Sequence, residues 1–324
     1  MKQRLLKILD NFKNKKVLVI GDVMLDKYIW GDVSRISPEA PVQVVNVLKE
    51  TFEAGGAANV ANNVAALNGM AFMVGTTGND EARKILLEVL HEKSIDTDGM
   101  QIHKDKPTIQ KVRILGKNQQ LLRVDYEKKD HVHKDIEASM IKFLEKTIKN
   151  VDLIVISDYA KGVITHEICS KLIEISKLNK KMIIVDPKPK HKELYANVDL
   201  ITPNNSEASE MAGIEDGSDE TAIEMGSKLL KYLNTNVLIT RGEKGMLLFE
   251  RSGNVSHIPA KAKEVYSLIG AGDTVVATAA LALASGANLL EAATLANIAA
   301  GIKVGKIGTA SVSIDEIKRE IENL

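Results

Sequence analysis

The sequence predicts an α/β fold: a mostly parallel central sheet between two layers of helices, with a small β-sheet lid. Three observations predict it. Six short runs of Val, Ile, Leu, Phe or Met are apolar throughout, as strands buried on both faces are, and each ends near a polar residue or glycine. Amphipathic stretches at helical spacing, such as Ile85, Leu86, Val89 and Leu90, separate most of these runs. Two further stretches, 26–50 and 107–127, break the rhythm with β-branched residues in partial alternation.

In chain order, residues 1–16 interleave charges with Leu5, Leu6, Ile8, Leu9 and Phe12, the pattern of a short amphipathic helix. The first apolar run, 17–20, stops at Gly21 and Asp22. Run 72–74 stops at Gly75, before an Asn79-Asp80 helix cap, and run 153–156 stops at Ser157 and Asp158. Run 183–185 stops at Asp186, run 200–201 leads to Asn204, and run 237–239 leads to Thr240, Arg241 and Gly242. Ligands of open α/β sheets bind beyond the carboxyl ends of the strands, where these polar residues collect. Loop solvation and helix capping explain some of them; a shared cleft explains the series.

Stretches 26–50 and 107–127, the second with a turn signal near Gly116, Lys117 and Asn118, read as hairpins of a small sheet over that cleft. Trp30 is expected to pack inside it or at a subunit contact. A small sheet with one apolar face needs covering, so a homodimer through the lid is expected.

By length, 324 residues allow about two domains, or one large α/β domain with an appendage. Lys plus Arg and Asp plus Glu both number 43, so no global field favours nucleic acid or an acidic membrane. The single cysteine, Cys169, lies in a helical pattern and excludes an internal disulfide or a cysteine zinc cluster, which fits a reducing compartment. The seven histidines show no paired metal-ligand spacing. No apolar segment near the N-terminus is long enough for a signal peptide or a membrane span, so a soluble cytoplasmic protein is expected.

Residues 267–286, SLIGAGDTVVATAALALASG, organise the rest. Gly270, Ala271 and Gly272 form a tight turn, Asp273 follows, and small or apolar residues continue as a buried helix. Such a terminus offers unpaired N–H groups and partial positive charge to an anion, and a carboxylate there can take a proton from an alcohol. Two readings fit these residues alone: an anion cradle with a base, or a helix merely capped by Asp273. Residues 53–69, EAGGAANVANNVAALNG, repeat the device, with Gly55 and Gly56 before a small-residue helix and Asn59 on its first turn. Close helix packing and ligand approach both fit that stretch.

GGAANVA at 55–61 and GAGDT at 270–274, with PNNSE at 203–207, resemble the signatures of the ribokinase-like, PfkB-type carbohydrate kinase family over nearly the whole chain. Within it, the chain is most similar to the D-glycero-β-D-manno-heptose 7-phosphate kinases, monofunctional or as the kinase half of a bifunctional enzyme. The matching stretches are 21–42, 116–127, SDYAKGV at 157–163, VDPK at 185–188 and VGKIGTASVS at 304–313. The resemblance implies a single ribokinase-like kinase domain over 1–324, a three-layer sandwich with its lid.

It also implies roles. Asp273 would be the catalytic base, and Gly270, Ala271 and Gly272 the anion hole. Asp22, Asp26, Gly55, Gly56 and Asn59 would hold sugar hydroxyls. Asn204, Ser206 and Glu207 would face the ATP phosphates, Glu207 through water on Mg²⁺. Thr240, Gly242, Gly245 and Asn297 would line the nucleotide groove. Lys161 and Lys188 follow strand-end aspartates and suit either phosphate contact or solvation. Arg35, Lys117 and Arg123, on lid strands or turns, are the candidates for the substrate's own phosphate. Ser267 and Ile269 stand where potassium-activated relatives carry Asp and Thr, which speaks against monovalent-cation activation. The implied reaction is transfer of phosphate from ATP to C1 of heptose 7-phosphate, toward ADP-heptose for lipopolysaccharide cores. The alternatives are a kinase of another sugar or sugar phosphate, and a catalytically decayed sugar-phosphate-binding regulator.

Overall fold

Continuous apolar runs become strands covered on both sides, and the amphipathic stretches between them become the covering helices. The computed structural model describes residues 1–116, 119–260, 265–306 and 310–323. The chain begins α1 (Lys2–Asp10), β1 (Lys16–Gly21), β2 (Val23–Ile36), β3 (Gln43–Gly56), α2 (Ala57–Ala66), β4 (Met70–Thr77), α3 (Glu81–Glu92) and β5 (Asp96–Ile102). It continues β6 (Ile109–Gly116), β7 (Gln119–Tyr126), α4 (Lys134–Thr147), β8 (Leu153–Ser157), α5 (His166–Leu178), β9 (Met182–Asp186), β10 (Leu200–Ile201), α6 (Asn205–Ala212) and α7 (Asp219–Leu233). It ends β11 (Asn236–Thr240), β12 (Met246–Phe249), β13 (Val255–Ile258), α8 (Ala271–Ala284), α9 (Leu289–Val304) and α10 (Ile314–Glu322).

The larger sheet has the order β13-β12-β11-β10-β9-β8-β1-β4-β5. Pairings from β11 to β5 are parallel, and β12 and β13 add antiparallel strands at one edge. All six apolar runs are strands of it. Alternate residues feed two cores: Val17 and Val19 pack with α1, α2, α3, α8, α9 and α10, while Leu18 and Ile20 pack with α4, α5, α6 and α7. From β1 the chain builds outward to β4 and β5, then returns to the other side of β1 for β8, β9, β10 and β11. That reversal opens a crevice at the carboxyl ends of β1 and β8, where open α/β sheets bind ligands.

The smaller sheet has the order β3-β2-β6-β7. The two expected hairpins are present, and a parallel β2–β6 pairing joins them. Its register sorts its residues by chemistry. Asp26, Lys111 and Asp125 form one row and Tyr28, Arg113 and Arg123 the next on the same face. The opposite face carries Ile29, Val112, Ile114, Leu122 and Val124. Trp30 donates its indole N–H to Thr51 Oγ1 at 3.2 Å and stacks near Tyr28, so it packs within this sheet. Among the described residues, no helix is long and apolar enough to cross a membrane.

Candidate active site

α8 is apolar around its whole circumference, and it is buried between the sheet, α2 and α9. Gly270 caps it with φ 73°, and a Cβ on Gly270 would lie 2.8 Å from Asn59 Nδ2. Glycine is therefore required on both counts. A Cβ on Gly272, by contrast, would meet nothing within 4 Å, so the space before that residue is open. The Ala271 N–H reaches Leu268 O at 3.3 Å and would have to leave that weak bond to serve an anion.

Asp273, in the first turn, is 6% exposed. Asn59 Nδ2 donates to its Oδ2 at 2.6 Å, and Tyr159 Oη donates to its Oδ1 at 2.9 Å. Asn59 is itself oriented one turn along α2: Asn63 Nδ2 donates to Asn59 O at 2.8 Å and reaches Asn59 Oδ1 at 3.3 Å. Thr274 Oγ1 then donates to Asn63 Oδ1 at 3.1 Å, closing the network between α2 and α8. Burial lifts the Asp273 pKa above the ordinary carboxylate value, while the bonds from Asn59 and Tyr159 hold it down and nearby Asp26 adds to the lift. A buried carboxylate with two fixed donors and a raised pKa has the properties of a general base.

Asp273, Gly270, Gly272 and Tyr159 line a cavity of about 170 Å³ together with Asp186, Lys188, Asn204, Glu207 and Thr240. Asn204 and Glu207 make a capping box on α6: Glu207 N donates to Asn204 Oδ1 at 2.9 Å, and Asn204 N donates to Glu207 Oε2 at 3.0 Å. The Lys188 ammonium donates to Glu207 Oε1 and lies 5.5 Å from the centre of the Tyr159 ring. Burial lowers the Lys188 pKa, but the Glu207 carboxylate outweighs it and the net shift is upward. Burial, then Asp273 and Glu207, push Asp186 well above its usual value. Three carboxylates thus face one ammonium across this cavity. That excess suits a hydrated divalent cation, for which oxygen donors are the preferred ligands.

The smaller sheet approaches Asp273 through Asp26, whose charge acts on it. Arg113 Nη1 lies 2.6 Å from Asp26 Oδ1, and both side chains are nearly buried. Gly55 lets this carboxylate lie against the backbone, since a Cβ there would be 2.8 Å from Asp26 Oδ2. Further out, Arg123 chelates Asp125 at 2.9 and 3.1 Å, Lys111 binds Asp125 at 3.0 Å, and Lys161 binds Glu127 at 2.6 Å.

Comparison with known proteins decides the family. The model of the pfkB family carbohydrate kinases matches residues 14–316. The chain belongs to that family. It is 46% identical over 312 residues to a protein named "Bifunctional protein HldE" from Actinobacillus succinogenes, covering 96% of this chain and 64% of that one. A second protein of that name, from Geobacter sulfurreducens, is 43% identical over 301 residues, covering 93% and 61%. The kinase thus spans less than two thirds of the length of these relatives. Among solved structures, phosphofructokinase-2 from Escherichia coli in complex with substrates and products matches with TM-score 0.78 at 20% identity, covering 96% of this chain and 99% of that one. Ribokinase from Arabidopsis thaliana, complexed with ribose and ATP, matches with TM-score 0.75 at 21% identity, covering 96% and 99%. These likenesses establish the ribokinase-like fold.

The kinase brings together Asp273, Gly270, Gly272, Asn59, Asn204, Glu207, Thr240 and Lys188, all from the sequence expectation, with Asp26 beside them. Gly56, at φ 56°, caps α2 as Gly270 caps α8. Asp22 differs from its expected place against sugar hydroxyls. It is fully buried, and its two oxygens accept from the backbone N–H groups of Tyr159, Lys161 and Val163 at 2.9–3.0 Å, so it shapes that loop. Lys161 points to Glu127 of the smaller sheet, away from the cavity that holds Lys188. Gly242 opens a short turn after β11, and Gly245 and Asn297 converge on the segment after β13, with Asn297 Nδ2 donating to Pro259 O at 2.7 Å. Ser206 is exposed on the first turn of α6. Arg35 is exposed at the far end of β2 from Asp26, and Lys117 lies outside the described residues.

Sequence reasoning missed Tyr159, Arg113 and Asp186 as site residues. Asp186 carried the available signal, a strand-end aspartate. Tyr159 follows the strand-end pair Ser157 and Asp158 and lies within the 157–163 stretch, so its signal was present and went unused, whereas nothing local marks Arg113, which comes from the smaller sheet. Spacing also hid a grouping of buried His103 with exposed Asp105 and His133, whose ligand atoms lie within 4.8 Å of one another. Lys106 and Lys128 beside His103 oppose a cation there.

Proposed function

We propose that the kinase transfers the γ-phosphoryl group of ATP to C1 of D-glycero-β-D-manno-heptose 7-phosphate, giving the 1,7-bisphosphate, in the cytoplasm and toward ADP-heptose for lipopolysaccharide cores. The resemblance of 21–42, 116–127 and 157–163 to heptose 7-phosphate kinases supports this substrate, as does the likeness to proteins named HldE. The observation that carries the chemistry is Asp273, clamped by Asn59 and Tyr159 beside the open face of Gly272.

The anomeric hydroxyl lies against Asp273 and gives up its proton there as its oxygen attacks phosphorus. Most of the remaining catalysis is positioning and charge stabilisation. The N–H groups at the start of α8 receive the migrating phosphoryl group, and Lys188 meets phosphate charge in the same cavity. Mg²⁺, when bound with ATP, screens triphosphate charge. Both Glu207 oxygens already accept protein hydrogen bonds, so Glu207 would hold the ion through water, and Asp186 would add a second carboxylate. Asp26 and Arg113 orient the sugar hydroxyls, and closure of the smaller sheet as a lid excludes water. Arg123, directly across from Arg113 in register, serves the distal phosphate; Arg35, seven residues further along β2, is too far from that row to share it.

The apolar face of the smaller sheet supports a homodimer through the lid, with Leu122 55% and Tyr126 50% exposed in alternate positions of β7. Incubation with ATP, Mg²⁺ and a panel of sugars and sugar phosphates, read by ³¹P NMR, tests the reaction. Product phosphorus at C1 of the heptose phosphate is expected. Preferred turnover of another sugar replaces this substrate, and a monomer in analytical ultracentrifugation removes the dimer.

A further inference from the structure

Lys303, in the last turn of α9, is a charged side chain only 1% exposed, and the reaction above gives it no part. It directly precedes the 304–313 stretch. Its Nζ donates to Ala310 O at 3.0 Å, across the turn that follows α9. Its tail runs behind the cap of α8: the point a Cβ of Gly270 would occupy is 3.6 Å from Lys303 Cε, 2.8 Å from Asn59 Nδ2 and 3.8 Å from Asp273 Oδ2. The base, its amide partner and the lysine tail therefore surround one small volume.

Described residues on either side of this ammonium are fastened to the site. Val304 O accepts from Tyr266 N at 2.7 Å and from Ser267 N at 3.2 Å, which ties the end of α9 to the segment entering α8. Asn62 Nδ2 donates to Ser311 Oγ at 3.1 Å, which ties Ser311, next to Ala310, to α2. Residues 267–272 include no acidic side chain that would draw a soluble cation to this place. Burial lowers the Lys303 pKa, Glu53 pulls it up, the nearby Lys306 ammonium lowers it and Asp273 raises it least, leaving it below the usual lysine value. A buried ammonium is costly unless opposite charge compensates it. A phosphoryl group before Gly270 and Gly272 adds to that charge.

We propose that Lys303 is a positioning residue. It is a built-in cation behind the anion-binding turn, holding residues 270–273 in place and offsetting the negative charge that gathers there during transfer. This rests on the kinase reading of the site.

The test compares wild type, K303R, K303Q and K303M, the last keeping the packing of the tail should K303Q fail to fold. K303Q or K303M is expected to lose about 30-fold or more in kcat, with both KM values within about threefold, as for the loss of charge stabilisation made mainly in the transition state. K303R retains most of kcat. Ammonium or methylammonium restores part of kcat to K303Q and leaves wild type unchanged, because only the variant has a cation-sized space to fill. A neutral variant with kcat within about threefold of wild type, or a loss that no ammonium ion repairs, overturns the proposal. Affinity for Mg·ADP with aluminium fluoride, against Mg·ADP alone, reads the same residue without any sugar. Selective weakening of the fluoride complex in K303Q supports the role even if the heptose substrate is wrong; equal weakening of both overturns it.

Discussion

The start of α8 and the polar face of the smaller sheet both serve the cleft, but they are built on different physics. At α8 the reactive carboxylate is enclosed by neutral donors in a buried chain from Thr274 through Asn63 and Asn59, with Tyr159 on its other oxygen. On the smaller sheet the polar groups are ions paired with one another, Asp26 with Arg113 and Asp125 with Lys111 and Arg123, increasingly exposed away from the cleft. Neutral bonds in low dielectric hold one geometry and set a pKa. Ion pairs near water exchange partners at little net cost, which is what a surface that must release and recapture a charged substrate requires.

The sharpest break of this contrast is Asp273→Asn. It keeps the size of the side chain and removes the proton acceptor, so kcat is expected to fall by about 10³-fold or more, with sugar and nucleotide binding retained by calorimetry. Loss of binding in step with turnover would make Asp273 a structural cap. Asn59→Ala comes next. It leaves Asp273 Oδ2 without its amide donor and breaks the link to Asn63, so we expect about 1–3 kcal/mol off the unfolding free energy and a kcat loss of about tenfold or more. An unchanged melting curve and unchanged kcat would mean the network is not rigid.

A pH series tests the same end. Asp273 must be ionised to act, and burial raises its pKa, so kcat should fall on the acid side at a pH above the ordinary carboxylate range. The Tyr159 hydrogen bond favours the ionised form. Tyr159→Phe should therefore move this limb to higher pH, losing activity of about severalfold at the acid end and little on the plateau. A limb that stays in place, or moves down, would show that Tyr159 does not hold the base.

The two regions were unequally legible. The α8 turn could be read because glycines, an aspartate and an apolar run are adjacent in sequence, and the six strands because apolar runs are local. The hairpins of the smaller sheet were visible too, but their parallel β2–β6 junction was not, because register between distant strands leaves no local trace. Asp22 misled for a related reason. A strand-end aspartate looks the same whether it faces a ligand or, as here, collects three backbone N–H groups from a loop 137 to 141 residues away. Arg113 acts from the smaller sheet on Asp26, 87 residues away, which composition does not encode.

The smallest effects separate inner from outer ion pairs of the smaller sheet. Arg113 and Arg123 are register partners on one face, yet Arg113 binds the nearly buried Asp26 whereas Arg123, half exposed, chelates the outer Asp125. Removing Arg113 leaves Asp26 charged without its partner where water is scarce, so Arg113→Gln should raise the sugar-phosphate KM by about tenfold with the ATP KM unchanged. Arg123→Ala leaves Asp125 to Lys111 and to solvent, and costs only the distal phosphate contact proposed for it, so the same KM should rise by about threefold. If Arg123→Ala matched or exceeded Arg113→Gln, the outer pairs would be the principal hold on the substrate. Equal rises in the sugar-phosphate and ATP KM values would remove both residues from sugar recognition.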